Sequence, residues 1–76
     1  MFGLPTHTIV AIHKDGSRES IMCTDVFTKD EMKEEIAWYI KDMIKHNNTK
    51  YENWTSFEYV NHFQCIFKLE AKEIFA

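Results

Sequence analysis

Thr28-Lys29-Asp30-Glu31-Met32-Lys33-Glu34-Glu35-Ile36-Ala37-Trp38-Tyr39-Ile40-Lys41-Asp42-Met43-Ile44-Lys45-His46 is the stretch that decides the fold of this chain. At a helical turn of 100° per residue, Met32, Ile36, Ala37, Tyr39, Ile40, Met43 and Ile44 fall in one stripe. Such a stripe needs a core to pack on, so the spacing predicts an amphipathic helix over about 29–46. Thr28 and Glu31 fit a capping box, and Phe27 precedes the cap where it can staple onto Met32. Asp30, Glu31, Glu34 and Glu35 suit the positive end of the helix dipole, and Lys41 and Lys45 the negative end. His46-Asn47-Asn48 closes it, asparagine being the usual substitute for glycine in a left-handed cap.

Trp38 falls on the opposite side of that helix, among Glu31, Glu34, Glu35, Lys41, Asp42 and Lys45. A large aromatic ring on a charged face is either covered by another part of the chain or presented to a partner. The candidate covers are Tyr51–Trp54 and the Ile74-Phe75 tail.

Upstream, Thr8-Ile9-Val10-Ala11-Ile12-His13-Lys14 and Glu19-Ser20-Ile21-Met22-Cys23-Thr24 read as two strands joined by Asp15-Gly16-Ser17-Arg18. Asp-Gly supplies a positive φ at low cost, as a hairpin turn requires. A register pairing Lys14 with Glu19, Ile12 with Ile21 and Val10 with Cys23 gives the best cross-strand agreement. It places Val10, Ile12, Ile21 and Cys23 on the core face.

From Phe57 onward the period changes to two. Phe57, Tyr59, Phe63, Cys65, Phe67, Leu69 and Ala71 alternate with mostly polar neighbours, the pattern of a half-buried strand. The run exceeds a usual strand length, so it reads as two strands meeting near Asn61-His62 or as one bent strand. A short helix over Thr55–His62, capped by Thr55, is the competing reading. Together these elements predict an α+β fold of two layers. One amphipathic helix packs on a three- or four-stranded antiparallel sheet, in the order ββαβ(β), as a single domain over residues 1–76. The other sheet face, expected to carry Thr8 or Ile9, Ala11, Met22, Val60 and Ile66, is left to water or a partner. A homodimer through that open face or through an edge strand follows as an expectation.

Composition narrows the function classes. Hydrophobic residues make up 45% of the 76 residues and aromatics 14%, enough for one compact core. A chain this short buries only about 60–65% of its unfolded surface, so the stability margin is thin. The net charge is −3, with one arginine, Arg18, and eight scattered lysines, which disfavours direct duplex binding. No signal peptide or membrane-spanning run is visible, and two cysteines then read as free thiols in a reducing cytoplasm. The chain is expected to be a complete small gene product.

No motif for catalysis, cofactor binding or metal binding stands out, so none of these sites is expected. Gly3 and Gly16 are explained by turns rather than by a phosphate loop. His62 and Cys65 are three apart, which on one strand points them to opposite faces. Cys23 and Cys65 are expected to be small buried hydrophobes. The helix acids do not read as a mimic of DNA phosphates, because Lys29, Lys33, Lys41 and Lys45 alternate with them. What remains is a non-enzymatic protein-binding factor, in the manner of small phage or mobile-element proteins that inhibit or modulate a host protein. Its expected contact residues are Trp38, Glu34, Glu35, Lys41 and Asp42, with Trp54 as a second anchor. The alternative is a small nucleic-acid-binding regulator that stacks bases on the open sheet face.

Overall fold

The computed structural model describes residues 7–25, 28–61 and 64–75. Strands β1 (His7–His13) and β2 (Arg18–Cys23) form a hairpin, and helix α1 (Lys29–Lys45) follows. A 3-10 turn over Lys50–Asn53 leads into β3 (Trp54–Asn61) and β4 (Gln64–Glu70), and a short helix α2 (Ala71–Phe75) ends the described chain. The strands form one sheet in the order β2-β1-β3-β4. Every neighbouring pair is antiparallel, so β2 and β3 run parallel on either side of β1. The chain must therefore cross β1 between them. A 17-residue helix does this, spanning about 25 Å at 1.5 Å per residue.

Both ends of α1 follow the sequence. The Thr28 hydroxyl accepts the Glu31 N–H at 3.1 Å, satisfying one of the orphan donors of the first turn. Phe27, the expected staple, lies outside the described residues. At the other end Asn47 adopts φ 59°. Asn48 N–H donates to the Met43 carbonyl at 2.8 Å and Asn47 N–H to that of Ile44 at 3.0 Å, a Schellman closure. Met32, Ile36, Ile40 and Met43 are buried as the stripe predicts. Ile44 is not: it lies at the margin of the stripe in the last turn and is 53% exposed.

The hairpin register differs from the expected one. Gly16 N–H donates to the His13 carbonyl and His13 N–H to that of Ser17, with Gly16 at φ 87°. This is a three-residue loop whose left-handed glycine forms a bulge. The Asp15 carboxylate holds the turn by accepting from both the backbone and the hydroxyl of Ser17. Those bonds hold its pKa below the ordinary value. Ile12 then faces Arg18 and Val10 faces Ser20, while beyond a second irregularity at Ile21 the pairs are Ile9 with Met22 and Thr8 with Cys23. The inward residues of β1 are Ile9 and Ala11, both fully buried, rather than Val10 and Ile12.

In the second half the two-strand reading holds and the helix over Thr55–His62 does not form. Phe57, Tyr59 and Leu69 are buried and Phe67 packs against them. Tyr59 pairs with Phe67 but Val60 with Cys65, so Ile66 is an unpaired extra residue, and the alternation breaks there. Cys65 consequently leaves the core side, and Cys23 sits in an outer strand. Both thiols are exposed, against the expected burial. Phe63 lies outside the described residues, and Ala71 begins α2 instead of extending the strand. Glu70 N–H is capped by the Glu73 carboxylate at 2.8 Å, the reciprocal half of a capping box.

One core lies between α1 and one sheet face: Ile9, Ala11, Phe57, Tyr59 and Leu69 from the sheet, with Met32, Ile36, Ile40 and Met43 from the helix. Trp54 joins them, stacked on Tyr39 at 6.3 Å and edge-on to Phe57. The pairing puts Thr8, Val10, Ile12, Ser56, Glu58 and Val60 on the opposite sheet face, where Arg18 and Glu58 form an ion pair at 2.7 Å. Ala11 and Met22, expected on that open side, belong to the core side instead, and of the alternatives Thr8 and Ile9 it is Thr8 that lies on the open side.

Burying an unpaired carboxylate costs several kcal/mol, against a total stability of about 5–10 kcal/mol for a domain of this size. Ile36→Asp and Ile40→Asp should each abolish cooperative unfolding at room temperature. Thr28→Ala should lower stability by about 1 kcal/mol only. Chemical denaturation followed by far-UV circular dichroism ranks the three, and the reverse order would refute the assigned helix face.

Candidate functional site: the outer face of helix α1

Helix α1 turns Met32, Ile36, Ile40 and Met43 inward, which leaves its other side outward. Trp38 stands at the middle of that side and is 68% exposed, the most exposed large hydrophobic residue described. Neither expected cover reaches it. Trp54 is only 4% exposed and packs in the core, so the expectation that it serves as a second surface anchor is corrected. A bulge opposite His13 carries it there: β1 pairs Ile12 with Ser56 but His13 with Trp54, leaving Thr55 as the extra residue. Phe75 lies on Tyr51 at 6.1 Å, and Ile74 packs against the core.

Trp38 separates two shallow hollows. Its N-terminal side is lined by Asp25, Glu31, Glu34 and Glu35. Its C-terminal side is lined by Lys41, Asp42 and Lys45. The expected contact residues Trp38, Glu34, Glu35, Lys41 and Asp42 are thus brought together on one face. Asp25 is the residue that sequence reasoning missed. It follows β2 and carries no helical periodicity, and only the fold places it beside α1.

The N-terminal side of Trp38 is lined by acids alone among the described residues, while Lys41 and Lys45 share the other side with Asp42, whereas alternation along the sequence suggested even mixing. Lys29 and Lys33 project to the other flanks of the helix at 100° per residue. None of the four helix lysines forms an ion pair among the described residues. Several other carboxylates are matched, Asp25 of the hollow among them. Asp25 meets the His7 ring at 3.1 Å, and Glu58 meets Arg18. Glu19 accepts from His13 Nε2 at 2.8 Å and from Lys50 Nζ at 2.6 Å. Lys50 beside it, then His13, holds the Glu19 carboxyl below the ordinary carboxylate range, and Glu19 raises Lys50.

Among the described residues no group of three or more His, Cys, Asp or Glu side chains is arranged to hold a metal ion. His62 lies outside them. No described helix is long and apolar enough to cross a membrane. No family model matches this chain, and no curated protein or solved structure matches it either.

Two outcomes follow from these placements. Glu19 has a depressed folded pKa, so its contribution is present above the unfolded carboxylate pKa and is lost as pH falls through the folded one. Glu19→Gln should therefore lower the melting temperature only slightly at neutral pH, because so exposed a pair adds little to stability. The gap from wild type should close on acidification below the ordinary carboxylate range, and a gap that widens there would refute the pairing. The thiols give the second outcome. Cys23, Thr8, Val60 and Cys65 lie in one row across the four strands. Three strand spacings put Cys23 and Cys65 about 14 Å apart, beyond disulfide reach. Ellman's reagent should label both rapidly in the native protein, and an intramolecular disulfide on mild oxidation would contradict the strand order.

Proposed function

We propose that this chain is a non-enzymatic protein-binding factor whose contact surface is the outer face of α1, with Trp38 as its anchor. The observation that carries this reading is Trp38 itself, 68% exposed at the centre of a helix whose other face is buried in the core. Tryptophan is enriched among interface residues whose truncation costs 2 kcal/mol or more, since it buries a large rigid surface with few torsions to freeze. Glu34, Glu35, Lys41 and Asp42 supply the polar rim around it. The biological setting of the proposal is a small phage or mobile-element protein that inhibits or modulates a host protein in the cytoplasm.

The alternative, base stacking on the open sheet face, needs aromatic rings there. Trp54, Phe57, Tyr59 and Phe67 all pack on the core side, and no described aromatic lies on the open face. That distribution favours the helix face as the contact surface.

Trp38→Ala should leave the melting midpoint within a few degrees of wild type, because the ring contributes little to the core. It should weaken capture of the cellular partner tenfold or more, or about 1.4 kcal/mol. Affinity capture from lysate, with and without nuclease and at two salt concentrations, separates the readings. Capture that is nuclease-sensitive and steeply salt-dependent would overturn the protein-binding reading in favour of the nucleic-acid one.

A further inference from the structure

We infer that the outer face of α1 receives an arginine-bearing, basic segment of its partner, with a guanidinium lying over the Trp38 indole beside the carboxylates of the adjoining hollow. This rests on the reading of that face as a protein contact and specifies the chemistry of the occupant. The argument is charge complementarity at an aromatic platform. Asp25, Glu31, Glu34 and Glu35 line one hollow with Trp38 as its wall, with no lysine or arginine among its described lining residues, and of these acids Asp25 meets the His7 ring. Glu34 and Glu35 form no ion pair among the described residues, while the sheet carboxylates Glu19 and Glu58 are each held by a cation of this chain. Glu34 and Glu35 beside one exposed indole disfavour phosphate, acidic peptide and a like-charged copy of the same hollow.

A cation is what such a wall attracts. A ring face draws a cation through its quadrupole. Arginine suits this geometry better than lysine. Its guanidinium is planar, stacks on an indole and donates in a fork to carboxylate oxygens, whereas an ammonium is a compact, strongly hydrated point charge. Lys41 and Lys45, which outnumber Asp42 on the far side of Trp38, give the face a direction. They repel a basic segment that runs on past the ring and so hold its cations over the acidic side.

The two indole N–H signals of the uniformly nitrogen-15-labelled chain report this directly, with Trp38→Phe assigning them. An acetylated, amidated hexa-arginine peptide at low salt should shift the Trp38 signal saturably and leave that of buried Trp54 in place. Hexa-lysine should bind roughly threefold or more weakly, and hexa-glutamate should not move the signal. The double variant Glu34→Gln/Glu35→Gln should weaken hexa-arginine binding about tenfold, because both carboxylates sit on solvent-facing helix positions beside the ring. Glu52→Gln, an exposed acid in the 3-10 turn, serves as the control for bulk charge and should change binding little. A Trp38 signal that stays fixed, or equal losses in the double variant and the control, would overturn the inference. Capture of the cellular partner distinguishes the two levels. Loss of capture in Trp38→Ala with full capture in Glu34→Gln/Glu35→Gln removes the basic segment and keeps the protein contact, while full capture in both variants removes both.

Discussion

Met32, Ile36, Ile40 and Met43 lie against Ile9, Ala11, Phe57, Tyr59 and Leu69, and the rest of the molecule is organised by that contact. One helix on one sheet gives a single place to bury apolar surface, and a small domain has little margin beyond it. The contact dictates which side of β1 faces inward, since Ile9 and Ala11 occupy the floor beneath the helix. It also requires β2 and β3 to flank β1, because α1 must pass over the sheet between them. The capping bonds of Thr28 and the Asn47-Asn48 closure then define how much helix is available to make the contact.

Bulges separate what the sequence shows from what it hides. The helix was legible because its period is uninterrupted from Met32 to Met43, and the two-strand reading of the second half rested on an equally plain period of two. The sheet register was not legible. Extra residues at Ile21, Thr55 and Ile66 each shift the alternation by one, and no single residue type marks such a position in advance. Thr55 illustrates the point: its hydroxyl donates to the Ile12 carbonyl at 3.2 Å, a bond that exists only once β1 and β3 are paired. Two of the bulges account directly for misplaced residues: the slip at Ile66 moved Cys65 outward and that at Thr55 brought Trp54 inward. Val10 and Ile12 face away for another reason, because the helix contact takes Ile9 and Ala11.

The outer face of α1 was legible for a complementary reason. An angle around a helix axis is a local property, so Trp38 could be placed opposite the apolar stripe without knowledge of the sheet. The sign of the field around it was not local. Along the chain, acids and lysines alternate, which suggested a neutralised surface. Around the axis Lys29 and Lys33 turn away, and Asp25 arrives from the end of β2, so the N-terminal side of Trp38 becomes acidic. Charge patterning in sequence therefore understated the charge patterning in space.

The distribution of ion pairs ties the fold to the proposed contact. Arg18, Lys50 and the histidines His7 and His13 meet carboxylates on or beside the sheet, where strand pairing fixes their separation. Exposed pairs of this kind add little to stability, typically less than about 1 kcal/mol each. Their larger effect is to remove Glu19 and Glu58 of the sheet from the field that an approaching molecule senses. Glu34 and Glu35 keep theirs, beside an indole that the core does not need. An exposed tryptophan in a domain with so thin a margin carries a risk of nonspecific association. The charge of Glu34 and Glu35 beside the ring lowers that risk, because it disfavours acidic surfaces and a second acidic hollow of the same chain. In the proposed contact the same carboxylates meet a cation, so selectivity and protection of the exposed ring would arise from one arrangement.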